Sequence, residues 1–89
     1  MVDEKEEYEI KYTNKFERRF RELDSVVRRR IFDKIKLLRE NPFIGKALLG
    51  DLRDIYSLRV GDYRVLYTIR DKVVFLLTVG HRRSIYRRS

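Results

Sequence analysis

The sequence predicts an α+β fold in one small domain, residues 1–89, with two helices from the N-terminal half packed on one face of an antiparallel sheet in the order β-α-α-β-β-β. Three observations predict it. A chain of 89 residues suits a single domain. Two segments in the first half repeat apolar residues at helical spacing, and three in the second half alternate at strand spacing. Helices and strands segregated in this way are typical of a sheet covered on one face.

The N-terminal half is predicted to hold one strand and two helices. Tyr8–Tyr12 alternates apolar and polar side chains, which predicts the first strand. Thr13 or Asn14 can cap the first helix, and Asp24-Ser25 ends it and caps the second. The second helix stops near Asn41-Pro42, because the residue before a proline disfavours helix. Each helix has an apolar stripe that is predicted to face the core. The stripe of the first helix is Phe16, Phe20 and Leu23. The stripe of the second is Val27, Ile31, Ile35 and Leu38, and Phe32 and Leu37 make it wider.

The C-terminal half is predicted to hold a loop and three antiparallel strands. Phe43–Leu52 contains two glycines and is predicted to be a loop with a short turn. The strands are Ile55–Val60, Tyr63–Ile69 and Val73–Val79. Gly61-Asp62 closes the first hairpin as a two-residue turn. For the second hairpin we expect a three-residue turn at residues 70–72, which pairs Ile69 with Val73.

Alternation along the strands assigns side chains to two faces of the sheet. The helix-facing side is predicted to hold Tyr56, Leu58, Val60, Tyr63, Val65, Tyr67, Ile69, Phe75, Leu77 and Val79. The other side holds Ser57, Arg59 and Arg64, joined by Gly80 and Arg82 if the last strand runs that far. We interpret Ser57 as an ordinary exposed strand residue. The arginines make this side a cationic groove.

Two of these arginines face each other. With Gly61-Asp62 as the turn, Arg59 pairs directly with Arg64, and like charges in that arrangement destabilise a sheet. Folding alone gives no reason for the pair, whereas a bound polyanion would give one. Guanidinium groups match phosphate oxygens, and aromatic rings can stack on single-stranded bases. Together these residue types could bind RNA.

Charge is unevenly distributed along the chain. The net charge is +8, yet the first seven residues form an acidic leader. A cationic domain suggests an anionic partner, most often nucleic acid; a charge-rich surface of a thermophilic protein is an equal alternative. The leader is interpreted either as a disordered solubilising segment or as one that docks on the basic groove and weakens RNA binding.

Composition excludes several classes of protein. The chain has no cysteine and one histidine, so a thiolate or zinc site is not expected, and no metal or cofactor is predicted. No glycine-rich loop precedes a lysine in a phosphate-binding pattern, and no local Ser–His–Asp set is present. No apolar run approaches the ~20 residues that cross a bilayer. We expect a cytoplasmic protein without a membrane partner.

Two segments resemble the RelE/ParE toxin superfamily, especially the RelE-like toxins of archaea and bacteria. YSLRVGDYRVLY (residues 56–67) is an arginine hairpin, and VGHRRSIY (residues 79–86) is an Arg-x-x-x-Tyr tail. LRENPFIGKALLGDLRDIYSLR (residues 38–59) is similar to the helix end and loop of that family. The resemblance implies a RelE-like fold over nearly the whole chain. It also implies a type II toxin: a ribosome-dependent, metal-independent endonuclease that cuts mRNA in the A site by 2′-OH transesterification.

The resemblance also implies roles for individual residues. Arg64 matches the catalytic hairpin arginine of the family, and Arg82 matches its second catalytic arginine. Tyr86 matches the C-terminal tyrosine that stacks on a base, and Arg59 occupies a position that is often basic. The partners implied are the ribosome, mRNA and a separate RelB-like antitoxin chain. Further basic residues are candidates for contacts with RNA or the ribosome: Arg28, Arg29, Arg30, Arg83, Arg87 and Arg88.

The chain departs from the best-known RelE pattern at two positions of the site and in the spacing from Arg82 to Tyr86, which is shorter. Ser57 stands where that pattern has a lysine, and Arg59 replaces another lysine. A lysine suits a general base better than an arginine, so His81 is a candidate proton carrier in its place. Two alternatives to the nuclease stay open: a ParE-like inhibitor of DNA gyrase, and a toxin homologue that binds ribosomes or RNA without cutting.

Overall fold

The computed structural model describes residues 7–86, which form two helices and one five-stranded sheet. The elements in chain order are β1 (Glu9–Tyr12), α1 (Asn14–Arg21), α2 (Ser25–Ile35), β2 (Lys46–Ala47), β3 (Tyr56–Val60), β4 (Tyr63–Arg70) and β5 (Val73–His81). Short 3₁₀ turns cover residues 36–39, 42–44 and 50–52. The predicted α+β class is confirmed. Of the acidic leader, only Glu7 lies among the described residues; its carboxylate is 3.1 Å from Arg39 Nη2.

The sheet is mixed rather than antiparallel, with strand order β1-β5-β4-β3-β2. β1 pairs parallel with β5, Ile10 opposite Val74. β2 is a two-residue strand inside the segment predicted to be a loop, and Lys46 pairs with Ser57. The two differences have separate causes. Alternation and turn residues predict hairpins between neighbouring segments, whereas the parallel pairing of β1 with β5 joins distant segments and leaves no local signal. β2 pairs antiparallel with β3, but two residues are too few to show an alternation.

Side-chain caps place both helices. Thr13 Oγ1 accepts a hydrogen bond from the Phe16 amide at 3.2 Å and donates to the Leu76 carbonyl of β5 at 2.8 Å. Asp24 accepts from the Val27 amide at 3.0 Å and starts α2. α2 ends at Ile35 and continues as a 3₁₀ turn, short of the predicted end near Asn41. Within residues 7–86, no helix combines the length and the apolar character that crossing a bilayer requires.

The core lies between the helices and one face of the sheet. Its buried members are Phe16, Ile31, Ile35, Leu38, Leu58, Val60, Val65, Tyr67, Val74, Leu76 and Val79. Phe32 and Leu37, which we predicted to widen the apolar stripe of α2, are instead exposed. α2 therefore buries the narrow stripe that begins with Val27 and reaches Ile35.

The β3–β4 hairpin has the predicted register, and the β4–β5 hairpin does not. Arg59 pairs with Arg64 as expected. In the second hairpin Arg70 pairs with Val73, so the turn has two residues rather than three. Since each one-residue shift inverts a strand, the buried residues of β5 are Val74 and Leu76, where we had expected Phe75 and Leu77.

A bulge then restores the predicted faces at the end of β5. Tyr67 pairs with Leu76 and Leu66 with Thr78, which leaves Leu77 as the extra residue. Beyond the bulge Val65 pairs with Val79, which is buried as predicted. Gly80 pairs with Arg64 and lies on its face of the sheet.

Tyr67 joins the core to the segment that leads into β2. Its fully buried hydroxyl donates to the Pro42 carbonyl at 2.7 Å and accepts from the Gly45 amide at 3.1 Å. Burial raises the pKa of Tyr67 to about 12. A Cβ at Gly45 would lie 2.5 Å from the Tyr67 hydroxyl, so glycine is needed at this close approach. The contact fixes the position of Lys46, the residue that follows.

Candidate nucleic-acid interface

A groove of about 850 Å³ lies beside the face of β3 and β4 that carries the two arginines. Its polar lining consists of Lys34, Lys46, Ser57, Arg59, Arg64 and Tyr86. Its apolar lining includes Ile44, Leu48, Leu49 and Leu52. Among the described residues that line it, four are cationic and none is acidic. A groove with this lining favours an anion that also carries apolar or aromatic groups.

Arg59 and Arg64 form the cationic centre of the groove. Arg59 is exposed, and Arg64 is half-buried. Arg64 Nη1 donates to the carbonyls of Gly61 at 3.0 Å and Tyr63 at 2.9 Å, which holds its guanidinium at the turn. Within residues 7–86, neither arginine lies within ion-pair distance of a carboxylate. Two adjacent positive charges without an acidic partner are suited to bind a phosphate.

Ser57 is buried, and the interpretation of it as an exposed strand residue was wrong. It is 6% exposed, and its Oγ lies 2.7 Å from Tyr86 Oη. The cause is the turn at residues 82–86, which folds back over this face of the sheet. Ile85 packs so closely on Gly80 that a Cβ there would lie 3.1 Å from Ile85 Cδ1. Tyr86 remains 44% exposed, so its ring can still meet a ligand.

Arg82 lies at the Gly61-Asp62 turn. Its amide donates to the Asp62 carbonyl at 2.7 Å, and its Nε lies 3.7 Å from Asp62 Oδ1. The side chain is about half exposed and is not part of the groove lining. The structure therefore places Arg82 at the hairpin end, close to the turn that also holds Arg64.

His81 lies on the opposite side of the sheet from Arg64. It pairs with Tyr63, and the two rings meet edge to face at 5.5 Å. Its Nδ1 accepts a hydrogen bond from the Arg83 amide at 3.1 Å. Of the predicted site residues, the structure thus brings together Arg59, Arg64 and Tyr86, and separates His81 from them.

Comparison with known proteins agrees with this fold. The family model for the ParE toxin of type II toxin–antitoxin systems matches residues 10–86, which is most of the chain. The chain belongs to this toxin family. The predicted membership of the RelE/ParE toxin superfamily is confirmed.

Three relatives illustrate the family. The toxin is 46% identical over 54 residues to Toxin RelG of Mycobacterium tuberculosis, a match that covers 58% of this chain and 62% of RelG. The RelBE2 toxin–antitoxin complex of the same organism contains a chain with 30% identity and a TM-score of 0.79, matched over 85% of this chain and 99% of that one. A chain of the intact Escherichia coli RelBE toxin–antitoxin complex shows 32% identity and a TM-score of 0.70, over 83% and 95%.

The other basic residues of the toxin are more dispersed. Arg28 donates to the Leu23 carbonyl in the turn between α1 and α2, so it has an intramolecular partner. Arg30 lies against the β3–β4 turn, with Nη2 3.1 Å from the position of a Cβ on Gly61. Arg29 and Arg83 are exposed. Arg87 and Arg88 lie outside the described residues.

Sequence reasoning missed two lysines of the groove. Lys34 comes from α2, and Lys46 comes from β2, directly across from Ser57. A two-residue strand carries too little alternation to predict a pairing. The available signal was Gly45 before Lys46, a residue type that often marks a close backbone approach.

Proposed function

We propose that this toxin is a ribosome-dependent mRNA endonuclease of the cytoplasm, which cuts mRNA in the A site by 2′-OH transesterification without a metal or cofactor. The observation that carries the proposal is the convergence of Arg59, Arg64 and Tyr86 in one groove whose described lining is free of acids. The groove's side chains suit mRNA, because guanidinium groups bind phosphates and an exposed aromatic ring can stack on a base.

The arginines stabilise the reaction's negative charge. Transesterification passes through a pentacoordinate phosphate that carries more charge than the diester, and donors held in place beforehand stabilise that charge most. Arg64 is held by two carbonyls and Arg59 faces it across the strand pair. Arg82 lies at the same turn but outside the groove lining, beside Asp62, so its side chain would have to turn towards the phosphate to stabilise charge or protonate the leaving 5′-oxygen.

Lys46 supplies the amine that the sequence pattern lacks at position 57. It lies directly across from Ser57 and lines the groove. As a cation it would hold the phosphate; as a neutral amine it would accept the proton of the 2′-OH. His81 is left out of this mechanism, because it lies on the other side of the sheet with Nδ1 already bonded.

The partners of this function are the ribosome and a separate antitoxin. The ribosome would supply the substrate geometry that a small groove cannot impose alone. The solved relatives named above are complexes of a toxin with its antitoxin, which supports a RelB-like partner here. Exposed apolar side chains at the groove rim, such as Leu49 at 86% exposure, are surface that such a partner would cover.

Inhibition of DNA gyrase is the second candidate, because the matching family model is that of the ParE toxins. A supercoiling assay separates the two. Inhibited gyrase together with intact mRNA would favour the ParE-like function. Ribosome binding with neither activity would instead indicate a toxin homologue that has lost catalysis.

Primer extension on a defined mRNA, with and without programmed ribosomes, tests the proposal. We expect cuts at A-site codons that require ribosomes and disappear in Arg64→Ala. Arg70→Ala is the matched control, since Arg70 lies exposed at the far end of the same strand and should leave cleavage intact. Uncut mRNA beside an active control toxin, or full cleavage by a folded Arg64→Ala protein, would contradict the proposal.

A further inference from the structure

The hydrogen bond between Ser57 and Tyr86 joins the middle of the sheet to the C-terminal turn. Oγ and Oη are 2.7 Å apart. A buried hydroxyl without a partner is unfavourable, and Ser57 is 6% exposed whereas Tyr86 is 44% exposed. Ser57 therefore favours the arrangement in which the Tyr86 hydroxyl lies against the sheet while the side chain stays partly exposed.

The rest of the turn is held through its backbone and through Ile85. The amides of Ser84 and Ile85 both donate to the His81 carbonyl at 2.9 Å, and Ile85 packs on Gly80. Among the described residues, the Tyr86 side chain has one hydrogen-bond partner, which is Ser57. Within residues 7–86, a single side-chain hydrogen bond thus anchors the end of the Tyr86 ring.

We propose that Ser57 is a positioning residue: its hydroxyl holds the Tyr86 ring over the groove, where the ring takes an RNA base beside the phosphate bound by Arg59 and Arg64. This inference rests on the proposed nuclease function. It also gives the departure at position 57 a role. The side chain there orients Tyr86, while the positive charge comes from Lys46 on the neighbouring strand.

A double-mutant cycle tests whether Ser57 acts through Tyr86. The variants are Ser57→Ala, Tyr86→Phe and the two combined, in the full chain, with ribosome-dependent mRNA cleavage measured as kcat/KM. A hydrogen bond of ordinary strength predicts that Ser57→Ala lowers kcat/KM by about three- to tenfold. In the Tyr86→Phe background the same change should have no further effect, because the hydroxyl on which Ser57 acts is already absent.

Two further variants separate positioning from folding. Ser57→Thr keeps the hydroxyl and should restore most of the cleavage lost in Ser57→Ala. Ser84→Ala removes an exposed hydroxyl from the same turn and should cleave like the unmodified toxin. NMR of toxin labelled at the tyrosine rings gives a readout independent of activity. The Tyr86 signals, assigned with Tyr86→Phe, should shift in Ser57→Ala and return towards their original positions in Ser57→Thr.

The outcomes distinguish this inference from the proposed function. Unmodified toxin that cuts no mRNA overturns the nuclease function itself. Active toxin in which Ser57→Ala lowers kcat/KM equally with and without the Tyr86 hydroxyl overturns the positioning role. Tyr86 ring signals that do not move in Ser57→Ala overturn it as well. Loss of cleavage confined to the background with Tyr86, together with the ring shift, supports it.

Discussion

The two faces of the sheet differ in how their side chains are partnered. On the helix side, Val65, Tyr67 and Val74 are fully buried against α1 and α2. On the outer side, Arg59 faces Arg64 without an acidic partner among the described residues, and the C-terminal turn covers only part of the surface. Burial of apolar side chains stabilises the first face, whereas the charges of the second are unfavourable until a ligand arrives. Stability and function should therefore be separable by mutation.

The largest effect is expected on the helix side. Phe16→Ala removes a fully buried ring that stacks on Phe20, and should lower the free energy of unfolding by about 3–5 kcal/mol. Urea denaturation measures the loss. The matched control is Phe32→Ala on α2, whose ring is 42% exposed, so it should cost much less. Equal losses in the two variants would show that the core is not where we place it.

On the outer side, Arg59→Ala should have the opposite profile. Losing one charge that stabilises the transition state should reduce ribosome-dependent cleavage by about 10²-fold or more. The free energy of unfolding should stay the same or rise by up to about 1 kcal/mol, because a like-charge pair is relieved. Cleavage assays and urea titrations on one preparation check both. A variant that loses activity and stability together would mean that the two faces are not independent.

Tyr67→Phe tests the contact between the helix-side core and the segment that leads to Lys46 in the groove. The effect of this change on stability should depend on pH. At neutral pH the loss of two hydrogen bonds should cost about 1–3 kcal/mol of unfolding free energy. The pKa of Tyr67 is raised from 10.0 to about 12 in the folded state. Its contribution is therefore complete below pH 10 and is lost as pH rises towards 12. The difference between the two proteins, measured by denaturation at pH 8 and pH 11, should be smaller at pH 11. A constant difference would contradict the raised pKa.

The smallest effect is expected at Lys46. It is exposed, so Lys46→Ala should change the free energy of unfolding by no more than about 0.5 kcal/mol. Cleavage should still fall by about tenfold, since the groove loses the lysine that pairs with Ser57. Comparing Lys46→Ala with Lys46→Arg across a range of pH separates its two roles. Rescue by arginine at every pH would identify a phosphate-binding cation rather than a proton acceptor.

The two hairpins show how much of this fold could be predicted from sequence. Gly61-Asp62 is a turn signal between clean alternations, so the register that pairs Arg59 with Arg64 was accessible. Arg70-Asp71-Lys72 allows turns of two or three residues, and Asp71 adopts a positive φ of 60° that its residue type does not demand. The bulge at Leu77 then compensates for the shift. Val74 and Leu76 are as apolar as Phe75 and Leu77, so no pattern could choose between them.

Some residues of the candidate site could likewise be predicted from sequence, and others could not. Arg59 and Arg64 were predictable because both sit in one hairpin. Ser57 was not, because its burial depends on a turn whose return over the sheet is a tertiary event. Lys46 and His81 depend on strand pairings beyond the first hairpin. Local pattern thus predicts the cationic pair, and long-range packing determines what surrounds it.

The pairing of β1 with β5 has a consequence for how the toxin is made. The Thr13 hydroxyl donates a hydrogen bond to the Leu76 carbonyl, 63 residues further along the chain, and Ile10 pairs with Val74. During synthesis the N-terminal strand and both helices leave the ribosome long before the strand that completes their sheet. A nascent chain that stops short of residue 73 has neither a closed core nor a Tyr86 to complete the groove. Synthesis must therefore pass residue 86 before the groove has the lining described here.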